Sequence, residues 1–155
     1  MSIHTDILAY LSTQAGITAL IGTKLQPVRA TQAGTTSSSV TGTPQSGKST
    51  PYVTYQAIDD HDEVMLESAA GFADLRIQLT AWSTSYGLSH QIAKAFRDEL
   101  LGMSPTTIGT TSLVYGIRHG GTVDAPEAPQ DAGDVGHYGV ASDYLILYRS
   151  DIPTF

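Results

Sequence analysis

The stretch "FADLRIQLTAWSTSYGLSHQIAKAFRDELLG", residues 72–102, contains two different hydrophobic periods in succession. In its first half apolar and polar residues alternate, so that Leu75, Ile77 and Leu79 share one face and predict a half-buried β-strand. In its second half apolar residues recur at helical spacing between a capping serine and a glycine, which predicts an amphipathic helix over about 85–101. A strand therefore passes almost directly into a helix.

Shorter patterns on either side complete a mixed fold. The segment "SIHTDILAYLSTQAG" predicts a short amphipathic helix, and "ITALIG" predicts another helical turn that ends at Gly22. "KLQPVR" is typical of a brief extended segment, and "PYVTYQAI", "SLVYGIR" and "HYGVASDYLILYR" are typical of strands. Because the strands cluster and do not alternate regularly with helices, we predict an α+β fold. It consists of a mainly antiparallel β-sheet packed by one long helix and a short N-terminal helix, in a single domain over residues 1–155.

Long polar loops are predicted between these elements. Residues 30–50 are almost entirely small and polar, so we expect a long flexible loop that cannot bury enough apolar surface to order itself. Residues 59–71, "DDHDEVMLESAAG", are predicted to form an acidic connection. Residues 120–136, "GGTVDAPEAPQDAGDVG", are predicted to form a second acidic loop, which begins with a bend at its two glycines.

Charge and composition exclude several classes of function. Fifteen acidic and eight basic residues give a formal net charge of −7, and the basic residues are scattered singly along the chain. A sequence-independent grip on nucleic acid needs a clustered basic surface, so the chain alone is not expected to bind nucleic acid tightly. There is no cysteine, no basic and apolar leader, and no run approaching the about 20 apolar residues of a membrane span. We therefore expect a protein that is made in a cytoplasm or assembled into a particle there.

The segment "GTPQSGKS", Gly42 to Ser49, matches the phosphate-binding pattern G-x-x-x-x-G-K-[ST]. A working phosphate loop follows a buried strand and starts a helix at its Lys-Ser pair. Here a polar stretch precedes the match and Pro51 with a strand pattern follows it, and no apolar run ends directly in an aspartate that could hold magnesium. We interpret the match as a coincidence in a loop rich in Gly, Ser and Thr.

Metal-binding and catalytic patterns are equally weak. The acidic run "DDHDE", residues 59–63, has the oxygen ligands that calcium or magnesium prefers, but its spacing is not that of an EF-hand loop. No histidine lies four residues from another on a helix, and no strand–Gly-x-Ser-x-Gly–helix elbow is present. We predict no catalytic residue, no metal site and no cofactor.

Tyrosines are concentrated on two of the predicted strands. Tyr138, Tyr144 and Tyr148 lie on the last strand, and Tyr52 and Tyr55 lie on the strand that follows the polar loop. Strand aromatics are commonly half-buried core residues, whereas tyrosine is also enriched at protein–protein interfaces. Both interpretations remain open from the sequence.

The order of these segments resembles the tail-completion, or tail-terminator, proteins of long-tailed bacteriophages. The resemblance rests on "ILAYLSTQAGITALIGTKLQPVR", "TPYVTYQAIDDHDEV", "ADLRIQLTAWSTSYGLSHQIAKAFRDELLG", "YGIRHGGTVDAPEAP" and "HYGVASDYLILYR", in that order along nearly the whole chain. The block in which a strand ends in Ala-Trp and passes through "STSY" into a helix is the most telling. Residues 30–50 are longer and more polar than is typical of the family.

The resemblance implies a structural role and no enzymatic activity. Such proteins assemble as a ring, typically of six subunits, on the head-proximal end of the tail tube. The ring stops tube polymerisation, meets the head-completion or stopper proteins, and leaves a hole through which the DNA passes without specific binding. The implied partners are therefore copies of the chain, the tail tube protein and the stopper, with no membrane, in a virion assembled in the host cytoplasm.

A closed ring needs two complementary surfaces on each subunit. We expect acidic segments to meet arginines of a neighbour, or to line the channel and repel phosphate. The candidate residues for these roles are Asp59, Asp60, Asp62, Glu63, Glu67, Arg76, Arg97, Arg118, Asp124, Glu127, Asp131 and Asp134. The candidate contacts of the 30–50 loop with neighbouring rings or the channel are Thr35, Ser38, Gln45 and Lys48.

Two other functions remain as alternatives. The chain could be a different neck or tail component, such as a head-side stopper or a tube subunit. From another class, it could be a nucleotide-binding enzyme that uses residues 42–49.

Overall fold

The computed structural model describes residues 3–27, 51–64, 69–103, 105–109, 112–127 and 137–149. In chain order the elements are α1 (Ile3–Thr13), α2 (Ala15–Ile21), β1 (Leu25–Pro27), β2 (Tyr52–Val64), β3 (Ala69–Ser83), α3 (Tyr86–Leu101), β4 (Thr106–Ile108), β5 (Ser112–Glu127) and β6 (His137–Arg149). The six strands form one sheet in the order β1-β2-β3-β6-β5-β4. All three helices contribute to a core on one face of this sheet.

The pairing within the sheet is mainly antiparallel, as predicted. Strands β2 and β3, β3 and β6, β6 and β5, and β5 and β4 are antiparallel neighbours. The exception is β1, which runs parallel to β2 and places Leu25 opposite Val53 and Pro27 opposite Tyr55. The predicted α+β class, with a mainly antiparallel sheet, is therefore confirmed.

The strand–helix unit of residues 72–102 lies at the centre of the fold. Leu75, Ile77 and Leu79 are at most 3% exposed and face the helices from β3. Their partners on α3 include Ile92 and Phe96, which are also buried. Burial of each such side chain contributes about 1.5–3 kcal/mol relative to leaving it in water. The strand and the helix that the two hydrophobic periods predict thus pack their apolar faces against each other.

The prediction of one long helix is not confirmed. The helices contain 11, 7 and 16 residues, and α3, over Tyr86–Leu101, is only moderately longer than a typical helix of about 10–14 residues. One helix of this length covers only part of a six-stranded sheet. Helices α1 and α2 therefore bury the rest of the apolar face, through residues such as Ile7, Leu11 and Ile17.

Two segments that were predicted as loops are strands instead. The acidic residues 59–64 continue β2, and residues 120–127 continue β5 across the predicted glycine bend. At the two glycines β5 contains a bulge, where Gly121 adopts a φ of 130° that suits glycine. Cross-strand pairing with β3 and β6 holds these segments in strand conformation, although residues 59–62 and 120–124 are exposed on both faces. A segment that is exposed on both faces is not required to alternate apolar and polar residues in its sequence.

Several predictions fall outside the described residues. The 30–50 loop lies outside them, as do residues 128–136 of the second acidic segment. The single-domain boundaries 1–155 likewise stay a prediction.

Candidate functional site

The sheet separates the predicted acidic residues into two groups. Asp59 of β2 lies opposite Arg76 of β3, whereas Asp124 of β5 lies opposite Val140, which in turn pairs with Ala81 of β3. The five-residue step from position 76 to position 81 of β3 corresponds to about 17 Å along the strand. Asp59 and Asp124, from the two predicted acidic segments, therefore occupy opposite halves of the sheet.

Asp60 belongs to a network that ties β2 to the rest of its own chain. Its carboxylate accepts a hydrogen bond from the Tyr148 hydroxyl at 2.9 Å and lies 3.2 Å from Nε2 of His4. The other ring nitrogen of His4 lies 3.1 Å from the Tyr55 hydroxyl. Burial and the neighbouring Asp60 carboxylate raise the pKa of both Tyr148 and Tyr55. The network joins α1, β2 and β6, which indicates that Asp60 stabilises the fold.

Asp59 and Asp62 of β2 are exposed to solvent. Asp59 lies 3.5 Å from Nδ1 of His61, and both side chains are more than half exposed. Asp62 is exposed and makes no hydrogen bond or ion pair with any described residue. The backbone of Glu63 belongs to β2, but its side chain lies outside the described residues. Asp62 is thus an acid with an unmatched charge in this strand.

The three candidate arginines have different surroundings. Arg76 donates a hydrogen bond of 2.5 Å to Asp143, which also accepts one of 3.0 Å from Gln78. Arg118 is exposed on the face of the sheet opposite the helices, two strands away from Arg76. Arg97 lies on α3, is partly buried, and forms no ion pair with a described residue. Arg76 is therefore neutralised within its own chain, whereas Arg97 is not.

A groove of about 550 Å³ lies between α3 and β5. It is lined by His90, Ala93, Lys94, Arg97, Thr122 and Asp124. Three of these residues carry or can carry a positive charge, and they stand on one side of α3. The groove is therefore a partly enclosed surface with a cationic wall.

Contacts across the groove hold its two walls in place. Asp124 accepts a hydrogen bond of 3.1 Å from the Tyr86 hydroxyl and has its other oxygen 3.0 Å from Nε2 of His90. This hydrogen bond raises the pKa of Tyr86. Lys94 pairs with Asp98 one turn further along α3. Asp124 thus anchors the start of α3 to β5, and Arg97 remains as the cation available to a ligand.

Sequence reasoning selected Arg97 and Asp124 but missed His90, Lys94 and Thr122. The spacing of positions 90, 94 and 97 places their side chains on one helical face, which could have identified the cationic wall. Thr122 carried no comparable signal, because its segment was predicted as a loop. The groove depends on a long-range pairing of β5 with β6, which local patterns do not reveal.

The phosphate-loop pattern does not continue into the required structure. Residues 42–49 lie outside the described residues, but β2 begins at Tyr52 and supplies a strand where a phosphate-binding helix is needed. No group of three or more potential metal ligands occurs within the described ranges. Likewise, no described helix is both long and apolar enough to span a bilayer.

The remaining candidate residues lie beyond what the structure describes. Glu127 ends β5, but its side chain is outside the described set. Residues without any description here are Glu67, Asp131, Asp134, Thr35, Ser38, Gln45 and Lys48. Their proposed contacts stay predictions.

Comparison with known proteins identifies the family. The family described as tail completion protein gp17 matches residues 5–136. No curated protein matches the sequence. Among solved structures, a chain of the virion of a native gene transfer agent (GTA) particle has a similar fold, with a TM-score of 0.65 at 12% identity over 96% of each chain. The match to the family covers most of the sequence, and the fold agrees over nearly its whole length. The resemblance seen in the sequence is therefore confirmed, and the chain belongs to the tail completion protein gp17 family.

Proposed function

We propose that the protein is a structural component of a phage-like tail. In this proposal it assembles as a ring, which we expect to contain six subunits, at the head-proximal end of the tail tube. There it stops tube polymerisation and joins the tail to the head. The match to the tail completion family over residues 5–136 is the observation that carries the proposal. The similar fold of a chain from a gene transfer agent virion supports it.

The fold offers surfaces that suit such an assembly. Beyond the short β1, the outer edge of β2 has no strand partner among the described residues, and the same holds for β5 beyond β4. These two edges lie on opposite sides of one sheet, as a head-to-tail ring requires. Bulges interrupt both strands, and charged side chains line β2, which are features that limit indiscriminate edge pairing.

The negative charge of the chain fits a channel that DNA must leave without sticking. Each subunit carries a formal net charge of −7, so carboxylates around the hole would repel phosphate. Neutralising the acids that face the channel should then slow genome ejection. Unchanged ejection kinetics in such variants would count against this part of the proposal.

Removal of the gene from an otherwise intact particle tests the central role. We expect tails of uncontrolled length that fail to join heads, both visible by electron microscopy of negatively stained lysates. Complementation with the wild-type chain should restore tails of uniform length. Normal tails joined to heads in the absence of the protein would overturn the proposal.

Binding measurements separate this role from the neighbouring ones. A protein that ends the tube should bind isolated tail tubes, whereas a stopper should bind filled heads first. Deletion within residues 30–50 should leave the fold intact and impair head joining if that segment contacts the head side. A purified chain that hydrolyses ATP, with loss of activity in Lys48→Ala, would instead favour an enzyme.

A further inference from the structure

We infer that the groove between α3 and β5 receives the acidic outer edge of β2 from a neighbouring copy of the same chain. The contact joins Arg97 of one subunit to the carboxylate of Asp62 in the next. This inference rests on the proposed ring and specifies the surface through which its subunits meet. The occupant is therefore a second copy of this protein.

Charge complementarity supports this contact. Arg97 lines the groove, is partly withdrawn from solvent, and has no ion-pair partner among the described residues. A partly desolvated guanidinium favours a carboxylate partner with which it can form two parallel hydrogen bonds. The other cations of the groove, His90 and Lys94, already face Asp124 and Asp98. A carboxylate from another subunit would thus form its most favourable ion pair in this groove with Arg97.

Strand β2 supplies a matching carboxylate. Asp60 is committed to Tyr148 and His4, and Asp59 lies beside His61. Asp62 is exposed and has no hydrogen bond or ion pair within the described part of the chain. It lies on the helix side of the sheet, because it pairs in register with the buried Ala73. Its carboxylate can therefore reach a groove whose cationic wall is a helix.

The positions of these two groups give the contact a direction. The groove lies at the β5 side of the sheet and Asp62 at the β2 side, with β3 and β6 between them. One subunit cannot bring its own Asp62 to its own Arg97 across that width, which is about three strand spacings or 14 Å. Copies that pair in this way must follow one another head to tail, which is the arrangement that closes into a ring.

Charge reversal tests the contact. Arg97→Glu and Asp62→Lys should each weaken self-association, free in solution or on isolated tail tubes, by roughly tenfold or more. The double variant Arg97→Glu/Asp62→Lys should recover most of the loss, because the pair is restored with opposite polarity. Arg149→Glu makes the same charge change at an exposed position of β6, on the opposite face of the sheet, and should assemble like the wild type. Association measured by native mass spectrometry and sedimentation, with circular dichroism to verify folding, provides the readout.

Cross-linking provides a second test that does not depend on affinity. The chain contains no cysteine, so introduced thiols have no background. Asp62→Cys subunits mixed with Arg97→Cys subunits should give a covalent dimer with a short bis-maleimide, whereas Asp62→Cys subunits mixed with Arg149→Cys subunits should not. Equal cross-linking in both mixtures, or no rescue in the double variant, would overturn the inference while leaving the ring itself intact. Absence of any self-association of the wild type, even on tail tubes, would overturn the ring as well.

Discussion

Gly139 is a residue whose missing side chain admits a large neighbour. A Cβ atom at this position would lie 2.7 Å from the Trp82 ring and 2.6 Å from the backbone oxygen of Ala125. Trp82 lies directly opposite Gly139 on the adjacent strand and is only 9% exposed. The glycine therefore leaves the space that the indole of Trp82 occupies.

Gly139→Ala should accordingly destabilise the protein. The added methyl group meets a backbone oxygen and a buried ring, neither of which can move freely, so we expect a loss of about 1–3 kcal/mol. Urea denaturation followed by tryptophan fluorescence measures the loss. Gly116→Ala on β5 is the matched control, because its added Cβ would meet no atom within 4 Å. Equal stability of both variants would show that the Trp82 contact is not tight.

Tyr144 gives stability a dependence on alkaline pH. Burial raises its pKa from the usual 10.0 to about 12. Between these two values the unfolded chain releases the phenolic proton while the folded chain retains it, so the free energy of unfolding falls as pH rises. The contribution of Tyr144 is complete below pH 10 and is lost by about pH 12. A shift of this size corresponds to about 2–3 kcal/mol.

Tyr144→Phe should therefore reduce the loss of stability between pH 10 and pH 12. Urea titrations of both proteins at pH 7 and across this interval supply the comparison. Tyr138→Phe on the same strand serves as a control, because the Tyr138 side chain is 41% exposed whereas Tyr144 is fully buried. If the wild type and Tyr144→Phe lose stability in parallel, the tyrosine is not responsible.

At the residue scale the sequence could name candidates but not their partners. Arg76, Arg97 and Arg118 were equivalent candidates, since each is an isolated cation in the sequence. The pairing of β3 with β6 brings Asp143 to Arg76, and no local pattern links positions 67 residues apart. Arg97 is distinguished only once β5 is known to lie beside α3.

At the scale of elements, α3 begins at a defined cap. Ser85 precedes the helix in an extended conformation, and its hydroxyl accepts a hydrogen bond from the backbone N–H of Leu88. Ser85→Ala should lower the free energy of unfolding by about 1 kcal/mol, because an N–H of the first turn loses its acceptor. Thr84→Ala, one residue earlier and exposed, is the control and should change stability by less than about 0.5 kcal/mol. Thermal denaturation measures both, and equal losses would argue against the cap.

Helices and strands were predictable where one face of the element is buried and the sequence therefore shows a clear hydrophobic period. The centre of β3 and the whole of α3 alternate or repeat because one face is core, so their sequence carries the signal. The outer parts of β2 and β5 were missed, since Asp59–Asp62 and Gly120–Asp124 are exposed on both faces. Their strand conformation comes from pairing with β3 and β6, which is information held in distant parts of the chain.

For the whole molecule, net charge and local contacts act in opposite directions on assembly. Copies with a charge of −7 repel one another at long range, whereas the Arg97–Asp62 contact attracts only at short range. The Debye length falls from about 30 Å at 0.01 M salt to about 8 Å at 0.15 M, so salt screens the repulsion first. We expect the rate of self-association to rise over this interval.

Stopped-flow light scattering at a fixed protein concentration measures that rate. Circular dichroism at each salt concentration verifies that the fold itself is unchanged. A rate that falls steadily from the lowest salt concentration would mean that attraction between the copies dominates even at long range.

The parallel pairing of β1 with β2 determines where the chain leaves and re-enters the sheet. Pro27 lies opposite Tyr55, close to the start of β2 at Tyr52, so the described residues that flank positions 28–50 lie at the same corner of the sheet. The entropy of closing such a connection grows slowly, by only about 0.6 kcal/mol for each doubling of its length. A peptide epitope inserted between β1 and β2 should therefore leave the sheet folded. Antibody labelling of intact particles would then show whether this corner of the sheet is accessible on the particle surface.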